Sequence, residues 1–231
     1  MDGVQTLLKI MTNQDQQQNN KDAIKMLGAM YFLLRGTPFI YQGQELGMTN
    51  FERKLIDEFN DISSIDQYYR AIQEGLSEEE ALKVINLRSR DNSRTPFPWN
   101  SSEYGGFSKV KPWLGMIENY EEINAEAQIG KEDSIYEFYK KMIGFRQNSS
   151  YSECLIYGNI TAINTENDEV IAYTRESGNE TIYCYFNFGQ NSVFEPLNIK
   201  SKKVIFNNLK EVEINEDGII LKPNQALLIT I

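Results

Sequence analysis

The chain has 231 residues, 41% hydrophobic, 12% aromatic and 24% charged, which excludes collagen-like, low-complexity and largely disordered polypeptides. Its 33 acidic residues outweigh 23 basic ones, for a formal charge of −10, so neither nucleic acid nor an anionic membrane is an expected partner. There is no histidine, which removes His-based triads, His metal sites and histidine acid–base chemistry together.

The opening Met1-Asp2-Gly3-Val4-Gln5 is acidic and polar, unlike a secretory leader. The most apolar window, residues 26–34, is far short of the roughly 20 residues that span a bilayer, so a cytoplasmic protein is expected. Residues 4–11 form a short amphipathic piece and 13–20 a polar run. Asp22 then reads as an N-cap for a helix that is apolar on nearly every face (Ala23, Ile24, Met26, Leu27, Ala29, Met30, Leu33, Leu34), hence a buried one. Gly36 suits its C-terminal stop and Pro38 blocks its resumption. Phe39-Ile40-Tyr41 follows as a short apolar strand, halted by Gln42-Gly43-Gln44-Glu45. Helix, turn, strand and polar loop predict one step of a parallel α/β sheet or barrel.

Residues 51–87 read as an acidic helical excursion, with helices over 63–73 and after Ser77. In the latter, Ser77 caps, Glu80 completes a capping box, and Ala81, Leu82, Val84, Ile85 and Leu87 supply the buried stripe. Residues 89–130 form a long loop, a length usually tied to function, and 134–147 another amphipathic helix. Eight strands are then expected at 155–164, 169–176, 180–188, 192–197, 202–207, 212–214, 219–221 and 225–231. Turn residues such as Ser177-Gly178-Asn179 separate them, as in an antiparallel sandwich. Cys154 and Cys184 lie in apolar surroundings and read as reduced core residues.

Chemistry concentrates in Asn86-Leu87-Arg88-Ser89-Arg90-Asp91-Asn92-Ser93-Arg94-Thr95-Pro96-Phe97-Pro98-Trp99. Guanidinium forks and carboxylates bind sugar hydroxyls, and flat rings cover apolar sugar faces; the same residues could equally be a solvated loop pinned by Arg–Asp pairs. Glu45 follows a buried strand, where barrels set their active sites, or serves only to cap a helix or pair with an arginine. Trp99, Phe107 and Trp113 are stacking platforms or simply pack the loop down. Phosphate-loop, dinucleotide and metal-ligand spacings are missing, so no cofactor and no metal is expected.

Thr37-Pro38-Phe39-Ile40-Tyr41-Gln42-Gly43-Gln44-Glu45-Leu46-Gly47-Met48, with Ser89-Arg90-Asp91-Asn92-Ser93-Arg94-Thr95-Pro96 and Gly105-Gly106-Phe107, resembles glycoside hydrolase family 13. More narrowly, it resembles the oligo-1,6-glucosidase, α-glucosidase and trehalose-6-phosphate hydrolase group. The similarity runs from about Asp22 to Ile231 and includes Tyr173-Thr174-Arg175 and Tyr185-Phe186-Asn187-Phe188.

The resemblance implies an α/β plus all-β fold: the C-terminal segment of a (β/α)8 TIM barrel with a helical and loop insertion over 1–150, then an antiparallel β-sandwich over 151–231. It implies retaining hydrolysis of α-glucosidic bonds by an aspartate nucleophile and a glutamate acid/base, whose carboxyl groups work about 5–5.5 Å apart. Both belong to earlier barrel strands, and no segment here matches either, so no catalytic residue is assigned. A third family aspartate lies in an Asn-His-Asp-Gln motif; Asn13-Gln14-Asp15-Gln16 echoes it around Asp15, with glutamine for histidine and short spacing to the next helix, as an internal deletion would leave. Arg90 matches the arginine of the innermost sugar subsite, and Arg94 and Glu45 are further substrate-binding candidates. Pro98 departs from the family's usual glutamine.

A complete barrel takes roughly 250 residues, whereas only about 150 precede the β region. The expectation is therefore the carboxyl-terminal portion of an α-glucosidase of short α-linked glucose oligosaccharides, inactive alone and prone to self-association through uncovered barrel surface. The alternative is a non-catalytic sugar-binding or partner-binding protein built on the sandwich.

Overall fold

The computed structural model describes residues 21–197 and 202–230. The expectations for residues 4–20, including the echo at Asp15, lie outside that range. The chain divides into two compact units: one takes the chain up to Phe39 and again from Phe138 onwards, the other is Ile40–Glu137. Compactness thus groups residues differently from the boundary at 150 expected from the sequence.

In the first unit, helix α1 (Lys21–Phe32) buries Ala23, Met26, Leu27, Ala29 and Phe32. Asp22 lies within its first turn and not at its N-cap. Gly36 has φ 121°, a conformation that favours glycine and ends the helical path. Later in the chain come α5 (Ile135–Asn148) and α6 (Ser152–Tyr157). Tyr139 of α5 lies so close to α1 that a Cβ on Gly28 would stand 3.0 Å from its hydroxyl.

Among the described residues eight strands follow: β1 (Asn159–Ala162), β2 (Val170–Ser177), β3 (Glu180–Asn187), β4 (Val193–Pro196), β5 (Lys203–Asn207), β6 (Glu213–Ile214), β7 (Gly218–Leu221) and β8 (Ala226–Thr230). They form a five-stranded sheet in the order β1-β2-β3-β8-β5 and a three-stranded sheet in the order β4-β7-β6. Every pairing is antiparallel. The β2–β3 register, Ser177 opposite Glu180, leaves the two-residue loop Gly178-Asn179. Gly178 takes φ 58° at the first loop position, where glycine carries no steric cost. The two sheets share one apolar core: Val170, Ala172 and Tyr185 of β2 and β3, Leu227 and Ile229 of β8, Ile219 and Leu221 of β7, and Leu197. β8 is buried throughout, and α1 packs on it while α6 packs on β2 and β3.

Two sequence expectations are corrected. Cys154 to Tyr157, expected at the start of a strand, form α6 instead, and only Asn159–Ala162 pairs with β2. Leu155 explains the difference: its carbonyl, near the end of α6, accepts hydrogen bonds from the guanidinium groups of both Arg146 and Arg175 at 2.8 Å. Likewise Phe39-Ile40-Tyr41 is not a strand, because no segment among the described residues pairs with it.

In the second unit, α2 (Ile62–Gln73) and α3 (Glu78–Arg88) form a pair whose core is Phe59, Tyr68, Ala81 and Ile85. Ser77 caps α3 as expected: the N–H of Glu80 donates to Ser77 Oγ, and Ser77 N–H donates to Glu80 Oε2. The long loop is built of short pieces: 3-10 turns at Arg90–Ser93 and Glu103–Gly106, and the single-turn helix α4 (Ala125–Gln128), capped by the Asn124 side chain.

Candidate functional site

All three binding candidates, Glu45, Arg90 and Arg94, fall in the unit Ile40–Glu137. Glu45 sits in the 3-10 turn Gln44–Leu46, bounded by Gly43 (φ 92°) and Gly47 (φ 69°). The φ of Gly43 favours glycine, and a Cβ there would also have to displace the Met48 side chain. Leu46 anchors the turn in an apolar cluster with Ile117, Ile123 and Ala125, and its carbonyl accepts from Gln128 Nε2 at 2.8 Å. Burial raises the Glu45 carboxyl above its ordinary range, against the lowering effect of its own and Gly43's backbone hydrogen bonds. Its Oε2 is buried without a hydrogen-bond partner.

The arginine loop is organised around Asp91, which is fully buried. Asp91 Oδ2 accepts from the backbone N–H of Asn60 at 2.7 Å and of Asp61 at 2.9 Å. Its Oδ1 lies 3.4 Å from Arg94 Nη1, a long ion pair with the arginine end half-exposed. Arg94, and not Arg90, is therefore the partner of Asp91. Arg90 is exposed, and its guanidinium makes no hydrogen bond among the described residues. Its charge acts on Asp61: burial would raise that carboxyl, but the Ser64 hydroxyl, backbone hydrogen bonds and Arg90 together bring it below the ordinary range.

Two contributors escape a reading of the sequence. The Tyr41 hydroxyl donates to the carbonyl of Ser93, tying the start of the glutamate loop to the arginine turn. Tyr41 stands in the motif beside Gln42, but nothing in sequence announces a bond across 52 positions. Arg53, almost wholly buried, donates from Nη1 to Asn92 Oδ1 at 2.9 Å and lies between the rings of Phe51 and Phe59, 5.3 and 5.0 Å from their centroids. Its Nε and Nη2 are unpartnered. Burial lowers its pKa, opposed by the charges of Asp91 and Glu58.

Among the described residues no ion pair links Glu45 to either arginine, so the two loops meet through Tyr41. The rings of Phe107 and Trp113 are exposed; Trp99, also exposed, packs against Phe97 with 4.7 Å between ring centroids, and Phe97 in turn packs on the Leu46 cluster. No group of acidic or cysteine side chains among the described residues could hold a metal. Exposed guanidinium, half-buried carboxylate and open aromatic faces on one unit can bind a polyhydroxylated ligand.

A model of the alpha-amylase catalytic domain matches residues 7–158. Over 210 residues the chain is 39% identical to a probable oligo-1,6-glucosidase 3 of Bacillus subtilis, covering 89% of this chain and 37% of that protein. The crystal structure of a trehalose-6-phosphate hydrolase from Bacillus licheniformis superposes with a TM-score of 0.85 at 32% identity, over 94% of this chain and 40% of the other. An isomaltulose synthase from a Klebsiella species gives 0.83 at 36% identity, over 94% and 39%. The chain spans about two fifths of the length of these relatives.

Proposed function

Because the chain belongs to the alpha-amylase family, glycoside hydrolase family 13, we propose that it is the carboxyl-terminal portion of a retaining α-glucosidase. The bonds cleaved by the whole enzyme are α-glucosidic linkages of short oligosaccharides. In this reading residues 1–150 complete a (β/α)8 barrel and 151–231 are its β-sandwich; the apolar core shared by the two antiparallel sheets supports the latter.

Arg90 carries the reading. Asp91 is already satisfied by two backbone N–H groups and by Arg94, so Arg90 is not needed as its structural pin. Its exposed guanidinium is available to donate to a hydroxyl of the sugar in the innermost subsite. Arg94 stiffens the turn beneath it and contributes its own exposed edge. Glu45, from the loop that Tyr41 ties alongside, adds a half-buried carboxyl as a further candidate partner for a sugar hydroxyl. The chain supplies binding and not bond cleavage, since the nucleophile and acid/base segments have no counterpart in it.

Hydrolysis assays on the isolated chain test this. Nitrophenyl α-glucoside, isomaltose and trehalose 6-phosphate should show no turnover. A rate approaching the roughly 10 per second of an ordinary enzyme, with contaminating activity excluded, would overturn the reading.

A further inference from the structure

We propose that Arg53 is the positioning residue of the arginine turn: its buried guanidinium holds Asn92, and through Asn92 it sets the direction in which Arg90 meets a sugar hydroxyl. The proposal rests on the reading of Arg90 as a sugar-binding side chain and adds what orders the turn beneath it.

Arg53 lies in the stretch between the Gln44–Leu46 turn and α2, yet only 1% of it is exposed. One amide brackets its backbone: the Arg53 N–H donates to Asn86 Oδ1 at 2.8 Å, and Asn86 Nδ2 donates to the Arg53 carbonyl at 2.7 Å. The guanidinium between the Phe51 and Phe59 rings is therefore carried on a fixed main chain. The Phe51 ring is itself packed against Gly115, where a Cβ would stand 2.2 Å from it. Among the described residues the one side chain that accepts from this guanidinium is Asn92, in the turn Arg90–Ser93. Asn92 Nδ2 donates in turn to the carbonyl of Asn86 at 2.7 Å. Arg53, Asn86 and Asn92 thus close a triangle that locks the turn to the end of α3.

Stability alone is poorly served by this arrangement. Nε and Nη2 of Arg53 are buried without a partner, a cost that an apolar side chain would not carry. What the guanidinium supplies is direction: a planar donor aimed at Asn92, beside the fully buried Asp91, whose charge favours the protonated form. Arg90 is exposed and its guanidinium makes no hydrogen bond among the described residues, so its direction is set by the turn that carries it. A turn ordered beforehand spares Arg90 part of the entropy cost of binding.

The experiment titrates isomaltose into the full 231-residue chain, well below its melting temperature, and follows the Arg90 Nε–H resonance together with amide hydrogen exchange. The parent resonance should shift on binding. Arg53→Met should weaken that binding by roughly tenfold, because a misdirected Arg90 forfeits much of a charge-assisted hydrogen bond. The amides of Asn92 and Arg94, which donate to the carbonyls of Ser89 and Asp91, should exchange about tenfold faster while those of β3 keep their rates. Arg53→Lys, whose ammonium still donates to Asn92 from between the rings, should recover most of the affinity. Phe51→Leu loosens the guanidinium without removing a charge or a hydrogen bond, and should weaken binding severalfold. Parent-like affinity in Arg53→Met overturns the proposal, as does exchange accelerated equally in the turn and in β3, which would make Arg53 a residue of stability alone. Where Arg53→Met does not fold, parent-like affinity in Phe51→Leu overturns it instead. A parent chain whose Arg90 resonance ignores isomaltose removes the sugar-binding reading and the proposal with it, whereas a responsive parent matched by Arg53→Met removes the proposal alone.

Discussion

Two guanidinium groups buried side by side, with no carboxylate between them, bear much of the order in the first unit. Arg146 donates to the carbonyls of Phe32, Leu34, Gly36 and Leu155, and Arg175 to those of Leu33, Leu155, Gly158 and Asn159. These oxygens lie at the C-terminal ends of α1 and α6, where unsatisfied carbonyls and the helix dipole present negative charge to the two cations. Burial lowers both pKa values, and for Arg146 the neighbouring Arg175 lowers it further. Arg175→Met should leave Leu33 O and Gly158 O buried and unsatisfied and cost about 3–5 kcal/mol. Urea denaturation measures it, and an unchanged midpoint would contradict the capping role. Arg90 is the opposite case, an exposed cation whose guanidinium makes no hydrogen bond among the described residues and acts on Asp61 through its charge. In an active fusion of this chain with the unmatched amino-terminal part of the Bacillus subtilis relative, Arg90→Lys should cut kcat/KM by roughly ten- to a hundredfold through loss of the planar fork, at an unchanged melting temperature. An unchanged kcat/KM with a lowered melting temperature would make it structural after all.

At the scale of elements, what local chemistry decides is legible in the sequence. The capping box at Ser77 and Glu80, the helix ending at Asn148 and the glycine turn at Gly178 each depend on residues within a few positions. What distant residues decide is not: α6 answers to Arg175, 20 positions from Leu155, and the end of α1 to Arg146, 114 positions from Phe32. In the site, Arg90, Arg94 and Glu45 stand in recognisable motifs, whereas the Tyr41–Ser93 tie and Arg53 under Asn92 exist only once the chain has folded. Gly158 marks the α6–β1 junction, where a Cβ would stand 2.3 Å from Cys154 O and 2.9 Å from Glu176 O, both backbone. Gly158→Ala should therefore destabilise by about 1–3 kcal/mol; a thermal midpoint equal to the parent's would refute that crowding. Tyr185 of β3 lies in the core shared by the sheets, and burial, followed by the charges of Glu195 and its neighbours, pushes its phenol up to about 12. Below about pH 10 folded and unfolded chains both keep that proton. Above it only the unfolded chain releases the proton readily, so stability should fall between about 10 and 12. Phenolate absorbance followed with a folding probe tests this, and an alkaline-stable fold with Tyr185 titrating near 10 would contradict it.

Across the whole molecule, the two antiparallel sheets share one apolar core of their own, while the candidate residues Glu45, Arg90 and Arg94 all fall in the other unit. Both described sheets are antiparallel, and among the described residues no parallel pair exists from which a barrel wall could be built. The family motifs thus occur, among the described residues, without any parallel strand pair. The most direct measurement is the hydrolysis of isomaltose and nitrophenyl α-glucoside by a single polypeptide. It joins the unmatched amino-terminal part of the Bacillus subtilis relative to this chain, and is assayed beside each part alone. Turnover approaching the roughly 10 per second of an ordinary enzyme is expected for the fusion and none for either part. A folded, monodisperse fusion without activity, or hydrolysis by this chain on its own, would contradict it.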